Sequence, residues 1–364
     1  MSMQFTYGTH RVDVMPVSAP DARRYEREMQ NAGFSLPFLH RTAAAELEPD
    51  PGPLFFAIRN TAGMPCGWFA AQRRPSRALP GHFVLRVERF GSGFADDEAH
   101  SAGVRALADV SRESPRILRT YIGIFSTDRG VQQAIASHLT AGGFQRNHRR
   151  RGYSHTLLVD LRPDEDVIFA SLQASARRNI RAVAKHRVVV RPVDSLEFAP
   201  RMDELVKDAF TRTGGDAERQ DWAALIRFSA RHPELSRLVG LFRTDRAGPP
   251  SLLAFTHAVH HGDFGQYCTA ASTRDPDVRV PQTYVLVWDL LRWAKQHGAR
   301  FFDFGGITPV SHDGSDPLQG ISEFKRFFSG TEVTVGDEWI FEPSPLKAGL
   351  ARVVTSVARS VPRF

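Results

Sequence analysis

The stretch FFDFGGITPVSHDGSDPLQGISEFKRFFSG, residues 301–330, carries most of the information about the fold and the site. It begins as a predicted buried strand in which three phenylalanines surround a single acid, Asp303. Two glycines follow, which predicts a backbone bend or a close approach to another group. A polar loop then extends to Gly320, and the segment ends in a short predicted helix, residues 322–328. A strand, a polar loop and a cationic aromatic helix together predict the edge of a functional site.

The predicted helix offers a candidate catalytic cation. In the run EFKRFF, Phe324 is expected to pack inward, which turns Lys325 and Arg326 toward the polar loop. A cation beside a developing oxyanion stabilises the transition state of acyl transfer. The alternative is a lysine whose stem merely covers aromatic rings while its ammonium stays in water.

The preceding strands offer two further candidates. Asp303 is placed to act as the general base for an attacking amine. With equal weight, it instead holds the glycine turn by accepting backbone N–H bonds. Tyr267 alternates with Thr269 and Ser272 on the strand before the loop, so the three side chains are expected to line a cleft.

Residues 174–186 form the more prominent of two basic clusters. Arg177, Arg181 and Lys185 fall on one face at helical spacing, and Arg178 lies next to them. Four cations in one short helix suit a diphosphate or an RNA backbone, and the alternative is a solvated basic face. The second cluster is RNHRRR at residues 146–151, which lies in a predicted loop. We interpret it as a solvated group of charges, with nucleic-acid binding as the alternative.

These segments carry a resemblance to a known family. FDFGGI, a loop and GISEFKRFFSG resemble the C-terminal signature of the FemABX family, the tRNA-dependent aminoacyltransferases that build peptidoglycan cross-bridges. ARRNIRAVAKHRVVV, residues 176–190, is similar to the basic helix of the family's second domain. AGGFQRNHRRRGYSHTLLVDL, residues 141–161, is similar to the family's domain crossover. The resemblance covers most of the chain from about Gly142 onward, and the first 140 residues match only in outline.

The resemblance implies a fold class and roles for single residues. The fold is α/β, with two GNAT-like domains in tandem, and the sequence has no heptad run for the coiled-coil arm of some relatives. In the family, the region of Arg177 and Arg178 holds the phosphates of a nucleotide-linked acceptor, and Arg181 extends this basic face. A Phe–Lys pair in the position of Phe324 and Lys325 contacts the aminoacyl end of the donor.

Composition limits the compartment and the partners. The chain has 364 residues, enough for two domains, and a net charge of +7, which suits an anionic partner. Two distant cysteines argue against a disulfide framework and against zinc. The sequence shows no secretory signal and no apolar run long enough for a transmembrane segment, so a cytoplasmic location is expected. No metal or redox cofactor is expected, and aminoacyl-tRNA is the expected co-substrate.

The order of predicted elements sets the expected domains. Residues 1–158 form the first GNAT-like domain and residues 159–330 the second, which holds the catalytic loop. Residues 164–185 are predicted as one helix. In residues 331–364, a strand at 332–341 and a helix at 346–361 are expected to pack back on the first domain. An apolar stripe on that helix is expected to face the protein body, with contact to a membrane surface as the alternative; its residues are Leu346, Leu350, Val353, Val354, Val357 and Val361.

The predicted function is transfer of an aminoacyl group from aminoacyl-tRNA to an amine. The acceptor would be a peptidoglycan precursor, nucleotide- or lipid-linked, or a peptide or nucleoside natural product. Two alternatives remain: an acyl-CoA-dependent N-acyltransferase acting on a sugar or small molecule, and an inactive binding module. The turn STRDPDVRVPQ, residues 272–282, contains no glycine, whereas acetyl-CoA-binding GNAT domains hold pyrophosphate in a glycine-containing turn before a helix. This difference disfavours acyl-CoA as the donor.

Overall fold

The chain forms two compact units in a computed structural model that describes residues 2–48, 50–148, 153–213, 220–273, 279–308 and 319–360. The first unit comprises Met1–Ser154 and Thr334–Phe364, and the second comprises His155–Val333. The chain thus leaves the first unit, builds the second and returns. The sequence had placed the boundaries at residues 158/159 and 330/331.

Each unit is built on one mixed sheet. The first sheet has eight strands in the order β1-β2-β3-β4-β5-β6-β15-β7, and the second has seven in the order β14-β8-β13-β12-β11-β10-β9. The strands of the first sheet are β1 (Met3–Tyr7), β2 (His10–Pro16), β3 (Leu54–Asn60), β4 (Pro65–Pro75), β5 (Phe83–Phe90), β6 (Ile117–Ile124), β7 (Gln145–Arg146) and β15 (Glu338–Phe341). Those of the second are β8 (His155–Asp160), β9 (Val188–Pro192), β10 (Ser236–Arg243), β11 (Leu252–His261), β12 (Phe264–Ser272), β13 (Phe301–Gly306) and β14 (Thr331–Thr334).

Helices cover both faces of each sheet. The described helices are α1 (Pro20–Asn31), α2 (Asp97–Glu113), α3 (Arg129–Ala141), α4 (Glu165–Ser171), α5 (Ala174–Ala182), α6 (Ala199–Thr213), α7 (Trp222–Arg231), α8 (Gln282–Gln296), α9 (Gln319–Arg326) and α10 (Pro345–Ser360). In the first unit, α2 and α3 bury one face of the sheet and α1 buries the other. In the second unit, α5 and α8 pack on one face. The opposite face is covered by α6 and α7, where Trp222 packs edge-on against Phe255.

Two predicted elements are divided in the structure. The helix predicted for residues 164–185 breaks between α4 and α5, because Leu172 adopts an extended ψ of 151°. The Gln173 N–H then donates to the Phe327 carbonyl, a bond that a continuous helix would not allow. The strand predicted for residues 332–341 is split between β14 and β15, which belong to different sheets. Gly336, at φ 120°, lies between them in a conformation that favours glycine.

Strand β15 and helix α10 pack on the first unit, as predicted, but the predicted orientation of α10 is wrong. Strand β15 pairs antiparallel with β6, and α10 packs through Ala348 and Ala351, both fully buried. The four stripe members whose side chains the structure describes, Leu346, Leu350, Val353 and Val354, face the other way, and Leu346 is 88% exposed. The side chains of Val357 and Val361 lie outside the described residues. Periodicity identified the stripe correctly, but the small alanines on the opposite face allow the helix backbone to approach the sheet closely.

This orientation predicts how two substitutions affect stability. Ala348→Leu should lower the free energy of unfolding by about 1–3 kcal/mol, because the added methylenes overpack a closed contact. Leu346→Ser should change it by less than about 0.5 kcal/mol, because the side chain is already in water. Urea unfolding of both variants checks the orientation. The reverse order of effects would show that the stripe faces the body.

Candidate functional site

The site lies where two parallel strands of the second sheet stop pairing. Strands β12 and β13 pair in parallel only over Phe264–Gln266 and Phe301–Asp303. Strand β12 continues to Ser272, and the described residues of the two strands make no further ladder pairs. Tyr267 and the residues that follow therefore border an opening in the sheet, at the carboxyl end of β13. Openings of this kind are where ligands enter α/β sheets.

A bulge in β13 lies at the same place. Asp303 pairs with Leu158 and Gly306 pairs with Thr156, so three steps along β13 oppose two along β8. The extra residue is accommodated by Gly305, whose φ of 70° is the left-handed conformation that glycine adopts readily. This is the backbone bend that the paired glycines predicted. The bulge redirects the backbone groups of Gly306 at the edge of the opening.

Asp303 is the acid at the centre of this bulge, and it is fully buried. Its carboxylate accepts hydrogen bonds from the Gly305 N–H at 2.8 Å and from the Thr156 hydroxyl. The same hydroxyl lies 2.8 Å from the Gly305 carbonyl oxygen. These contacts match the alternative in which Asp303 holds the glycine turn, and its role as a general base stays a prediction.

Lys325 meets the bulge from helix α9. Its ammonium donates to the Gly306 carbonyl at 2.6 Å, and the residue is only 7% exposed. Burial lowers the pKa of Lys325 to about 8, against the smaller opposing effect of the Asp303 charge. A lysine that merely covered aromatic rings would keep its ammonium in water, so the side chain is placed as a site residue would be. At neutral pH the Lys325 amine is therefore protonated, and its pKa is close enough to that pH for the ammonium to act as an acid.

Arg326 and Ser322 tie α9 to the end of β13. The Arg326 guanidinium donates to the Thr308 carbonyl at 2.6 Å and to the Glu332 carboxylate at 2.7 Å. The Thr308 N–H donates to the Ser322 hydroxyl at 2.9 Å. Arg326 and Ser322 thus join Thr308, just before the predicted catalytic loop, to α9, just after it. Residues 309–318 of that loop, including His312, lie outside the described residues.

Aromatic side chains pack against the inner face of α9. Phe324 packs inward, as predicted, with its ring 5.2 Å from that of Tyr284 and 5.4 Å from that of Phe328. Tyr267 lies 5.9 Å from Phe304, ring centre to ring centre. Burial raises the pKa of the Tyr267 phenol, so it stays neutral and can donate a hydrogen bond at physiological pH. Tyr267 and Phe324 therefore belong to the same packed cluster beside the opening.

The basic cluster forms the wall of a shallow depression on α5 and the turn after it. The depression has a volume of about 330 Å³ and is lined by Ala174, Arg177, Arg178, Arg181, Ala182 and Lys185. The Arg177 guanidinium donates hydrogen bonds to the carbonyls of Ala170 and Leu172 at the end of α4. Fewer of its N–H groups are therefore available to a ligand. Arg178 and Arg181 are exposed, and the Arg181 guanidinium lies over the Phe169 ring.

Thr156 and Ser322 are the site residues that the sequence analysis missed. Thr156 precedes the apolar run Leu157–Val159 of β8 and is itself buried, and a buried polar residue is a signal for a hydrogen-bonded partner. Of the second basic cluster, Arg146 pairs with Asp337, and residues 149–151 lie outside the described residues. Within the described part of the chain, no group of three His, Cys, Asp or Glu side chains is arranged to hold a metal ion.

The equivalent region of the first unit differs. There the parallel strands β5 and β6 stay paired as far as Phe90 and Ile124. The helix that follows, α2, begins with three carboxylates: Asp96 caps it by accepting from the Ala99 N–H, and Asp97 and Glu98 occupy its first turn. Acids at a helix N-terminus complement the helix dipole and repel a phosphate. The first unit therefore lacks the opening and offers no pyrophosphate cradle at α2.

Comparison with known proteins rests on structure. No protein-family model matches the sequence, and no curated protein matches it. The crystal structure of FemX superposes with a TM-score of 0.71 at 14% identity, covering 93% of this chain and 99% of FemX. L-PGS from Bacillus licheniformis superposes with a TM-score of 0.53 at 12% identity, covering 94% of this chain and 98% of L-PGS.

A third solved structure is the C-terminal domain of a putative lysylphosphatidylglycerol synthetase from Agrobacterium fabrum. It has a TM-score of 0.50 at 12% identity, and the match covers 92% of this chain and 97% of that one. At these identities the likeness shows the fold. It confirms the predicted class: an α/β protein of two GNAT-like domains in tandem, with a FemX-like fold. The longest described helix, α2, has 17 residues, and no coiled-coil arm is present in the described part of the chain.

The Asp303 cluster predicts a specific cost for losing the Thr156 hydroxyl. Thr156→Val keeps the shape but removes a donor from a buried carboxylate, so the free energy of unfolding should fall by about 1.5–3 kcal/mol. Thr120→Val is the matched control: Thr120 is equally buried, but its hydroxyl meets the neutral Ser111 hydroxyl. That change should cost only about 0.5–1.5 kcal/mol. Equal losses in urea unfolding would mean that Asp303 does not need the hydroxyl.

Proposed function

We propose that this protein is an aminoacyltransferase that moves an aminoacyl group from aminoacyl-tRNA to an amine, forming an amide bond. The reaction takes place in the second unit, at the opening between β12 and β13. The observation that carries the proposal is the Lys325 ammonium, buried and hydrogen-bonded to the Gly306 carbonyl beside that opening. The FemX-like fold and the similarity of EFKRFF to the FemABX signature support the same assignment.

Lys325 would stabilise the charge that develops during the transfer. The acceptor nitrogen attacks the ester carbonyl carbon of the aminoacyl-tRNA, and the carbonyl oxygen becomes an oxyanion next to the ammonium. As the amide forms, the bond between the carbonyl carbon and the ribose oxygen breaks. The ribose oxygen takes up a proton, and the acceptor nitrogen loses one, so the overall reaction is balanced. With its pKa lowered to about 8, Lys325 can supply the proton to the departing oxygen and recover it from the amine.

The neighbouring side chains would position the reactants. Phe324 and Tyr267 present apolar surface and a neutral phenol beside the opening, which suits an aminoacyl end. Asp303 keeps the Gly306 carbonyl in place through the bulge. The basic depression on α5 would hold phosphates of the acceptor, with Arg178 and Arg181 as the exposed contacts. A nucleotide-linked peptidoglycan precursor fits this arrangement, and a peptide or nucleoside natural product is the other acceptor class.

An acyl-CoA donor is the alternative that the same fold allows. The first unit opposes it, because Asp96, Asp97 and Glu98 surround the helix start where a pyrophosphate would bind. In the second unit the turn before α8 contains no glycine. Incubation with a total pool of charged tRNA, and separately with acetyl-CoA, tests both donors: acceptor-dependent deacylation of tRNA supports the proposal, and release of free CoA instead overturns it.

Lys325→Met tests the central assignment. The substitution keeps the side-chain length and removes the charge, so kcat should fall by about 100- to 1000-fold, the usual cost of losing one oxyanion-stabilising group. Lys295→Met is the matched control, because the Lys295 ammonium also donates to backbone carbonyls, those of Leu161 and Pro163. It should stay near the wild-type rate. A Lys325→Met enzyme at the wild-type rate would reduce Lys325 to a packing residue.

The pH dependence separates charge from packing at the same position. The pKa of Lys325 is lowered to about 8, so its ammonium is present below that pH and is lost above it. The acceptor for this experiment should have an amine whose own pKa lies well away from that of Lys325. With such an acceptor, wild-type kcat should decline as pH rises through about 8. Lys325→Arg should be slower but should lack this decline, because a guanidinium stays charged in proteins. A decline that persists in the arginine variant would assign the titration to another group.

Arg178 and Arg181 should govern affinity for the acceptor. Replacing both with Ala should raise the acceptor KM by about tenfold or more, because each loses a charge-assisted hydrogen bond. The effect on kcat should be smaller, because phosphates are held equally in ground and transition states. Arg227→Ala, an exposed arginine on α7 at the opposite face of the sheet, is the control. An unchanged acceptor KM in the double variant would show that the basic depression does not bind the acceptor.

A further inference from the structure

Helix α10 presents an apolar face to solvent although the helix is fastened to the protein. On its inner side Ala348 and Ala351 are fully buried, and the Arg119 guanidinium donates to the Ala348 carbonyl at 3.1 Å. On its outer side Leu346, Leu350 and Val353 are 88%, 55% and 60% exposed. These side chains, with Val354, are spaced as one stripe along the helix. The apolar face is therefore exposed while the opposite face of the same helix is packed against the protein.

The charges around this stripe are of one sign. From Pro345 to Phe364 the sequence contains four basic residues, Lys347, Arg352, Arg359 and Arg363, and no acidic residue. The acid closest in sequence, Glu342, accepts hydrogen bonds from both Arg119 and Arg352, so two cations offset its charge. An apolar stripe on a segment whose charged residues are all cations is the pattern of a helix that lies in an anionic lipid interface.

A second copy of the chain fits the stripe less well. A stable homodimer buries about 800 Å² on each partner, which is more than the outer face of one short helix provides. Pairing two such helices would also bring Lys347 and Arg352 of both copies together with no acid in residues 345–364 to offset them. The charge pattern thus favours a negatively charged surface over a copy of this helix.

We infer that α10 docks the protein on an anionic lipid surface. Leu346, Leu350 and Val353 enter the boundary between headgroups and acyl chains. The Lys347 ammonium donates to the Pro115 carbonyl and Arg352 pairs with Glu342, so these cations attract the anionic headgroups through their charge and not through direct bonds to phosphate. The described part of the chain has no helix long and apolar enough to cross a membrane. This inference stands apart from the reaction assigned to the second unit, because docking requires no turnover.

Vesicle co-sedimentation of the full chain tests the inference. Wild-type protein should sediment with vesicles of phosphatidylcholine and phosphatidylglycerol, and should bind vesicles of phosphatidylcholine alone more weakly. The double variant Leu350→Glu, Val353→Glu should bind the anionic vesicles at least about tenfold less, because burying one leucine or valine side chain supplies that much affinity. Added salt should weaken wild-type binding, because it screens the cations.

Met64→Glu is the matched control, because Met64 is 59% exposed in a hairpin turn of the same unit, away from α10. It should bind vesicles as wild type does, and circular dichroism should show all variants folded. Three results would overturn the inference: no sedimentation with anionic vesicles, equal binding by the double variant, or equal loss in Met64→Glu. A dimer in analytical ultracentrifugation that the double variant abolishes, without vesicle binding, would assign the stripe to a second copy.

Discussion

The burial of one carboxylate sets the geometry of the second unit's site. Asp303 has no solvent-exposed surface, and a buried carboxylate needs hydrogen-bond donors around it. The Gly305 N–H and the Thr156 hydroxyl supply them, and the first of these is available only because Gly305 bends the strand at φ 70°. The bend is the bulge at which pairing with β12 ends. One acid, one glycine and one threonine thus fix where the sheet opens.

The same bulge explains why a lysine can be buried beside the opening. A buried ammonium needs acceptors, and the Gly306 carbonyl, turned by the bulge, provides one at 2.6 Å. Desolvation outweighs the attraction of Asp303, so the pKa of Lys325 falls to about 8 instead of rising. A pKa of about 8 keeps the ammonium charged at neutral pH and permits proton exchange close to that pH. An arginine in this position would keep its charge and lose that exchange.

The sequence predicted the parts of this site that depend on local pattern. The phenylalanines around Asp303, the paired glycines and the inward packing of Phe324 all follow from spacing along one strand or one helical turn. It did not predict Thr156, which reaches Asp303 from a strand 147 positions away in sequence. Nor did it predict the break between α4 and α5, which depends on the Gln173 N–H meeting the Phe327 carbonyl. Contacts across such separations leave no periodic signal.

Helix α10 shows a different limit of sequence analysis. Periodicity groups residues on a face, but it does not say which face the rest of the protein covers. Here the covering contact uses Ala348 and Ala351, and the larger side chains are left in solvent. An argument based on hydrophobicity alone favours the opposite orientation, because it weighs the apolar area of each face and not the closeness of backbone approach that small residues permit.

The two units share a strand-helix-strand arrangement but differ in strand pairing and in the charge at the start of the helix. Both have a parallel strand pair followed by a helix, β5, β6 and α2 in one, β12, β13 and α8 in the other. In the first unit the pair stays closed, and Asp96, Asp97 and Glu98 give the helix start a negative charge. In the second unit the pair opens at Asp303, and the first turn of α8 contains no acid. The acids at the start of α2 would repel an anionic ligand, and the first turn of α8 has no such acids, so repetition of the fold does not imply repetition of the site.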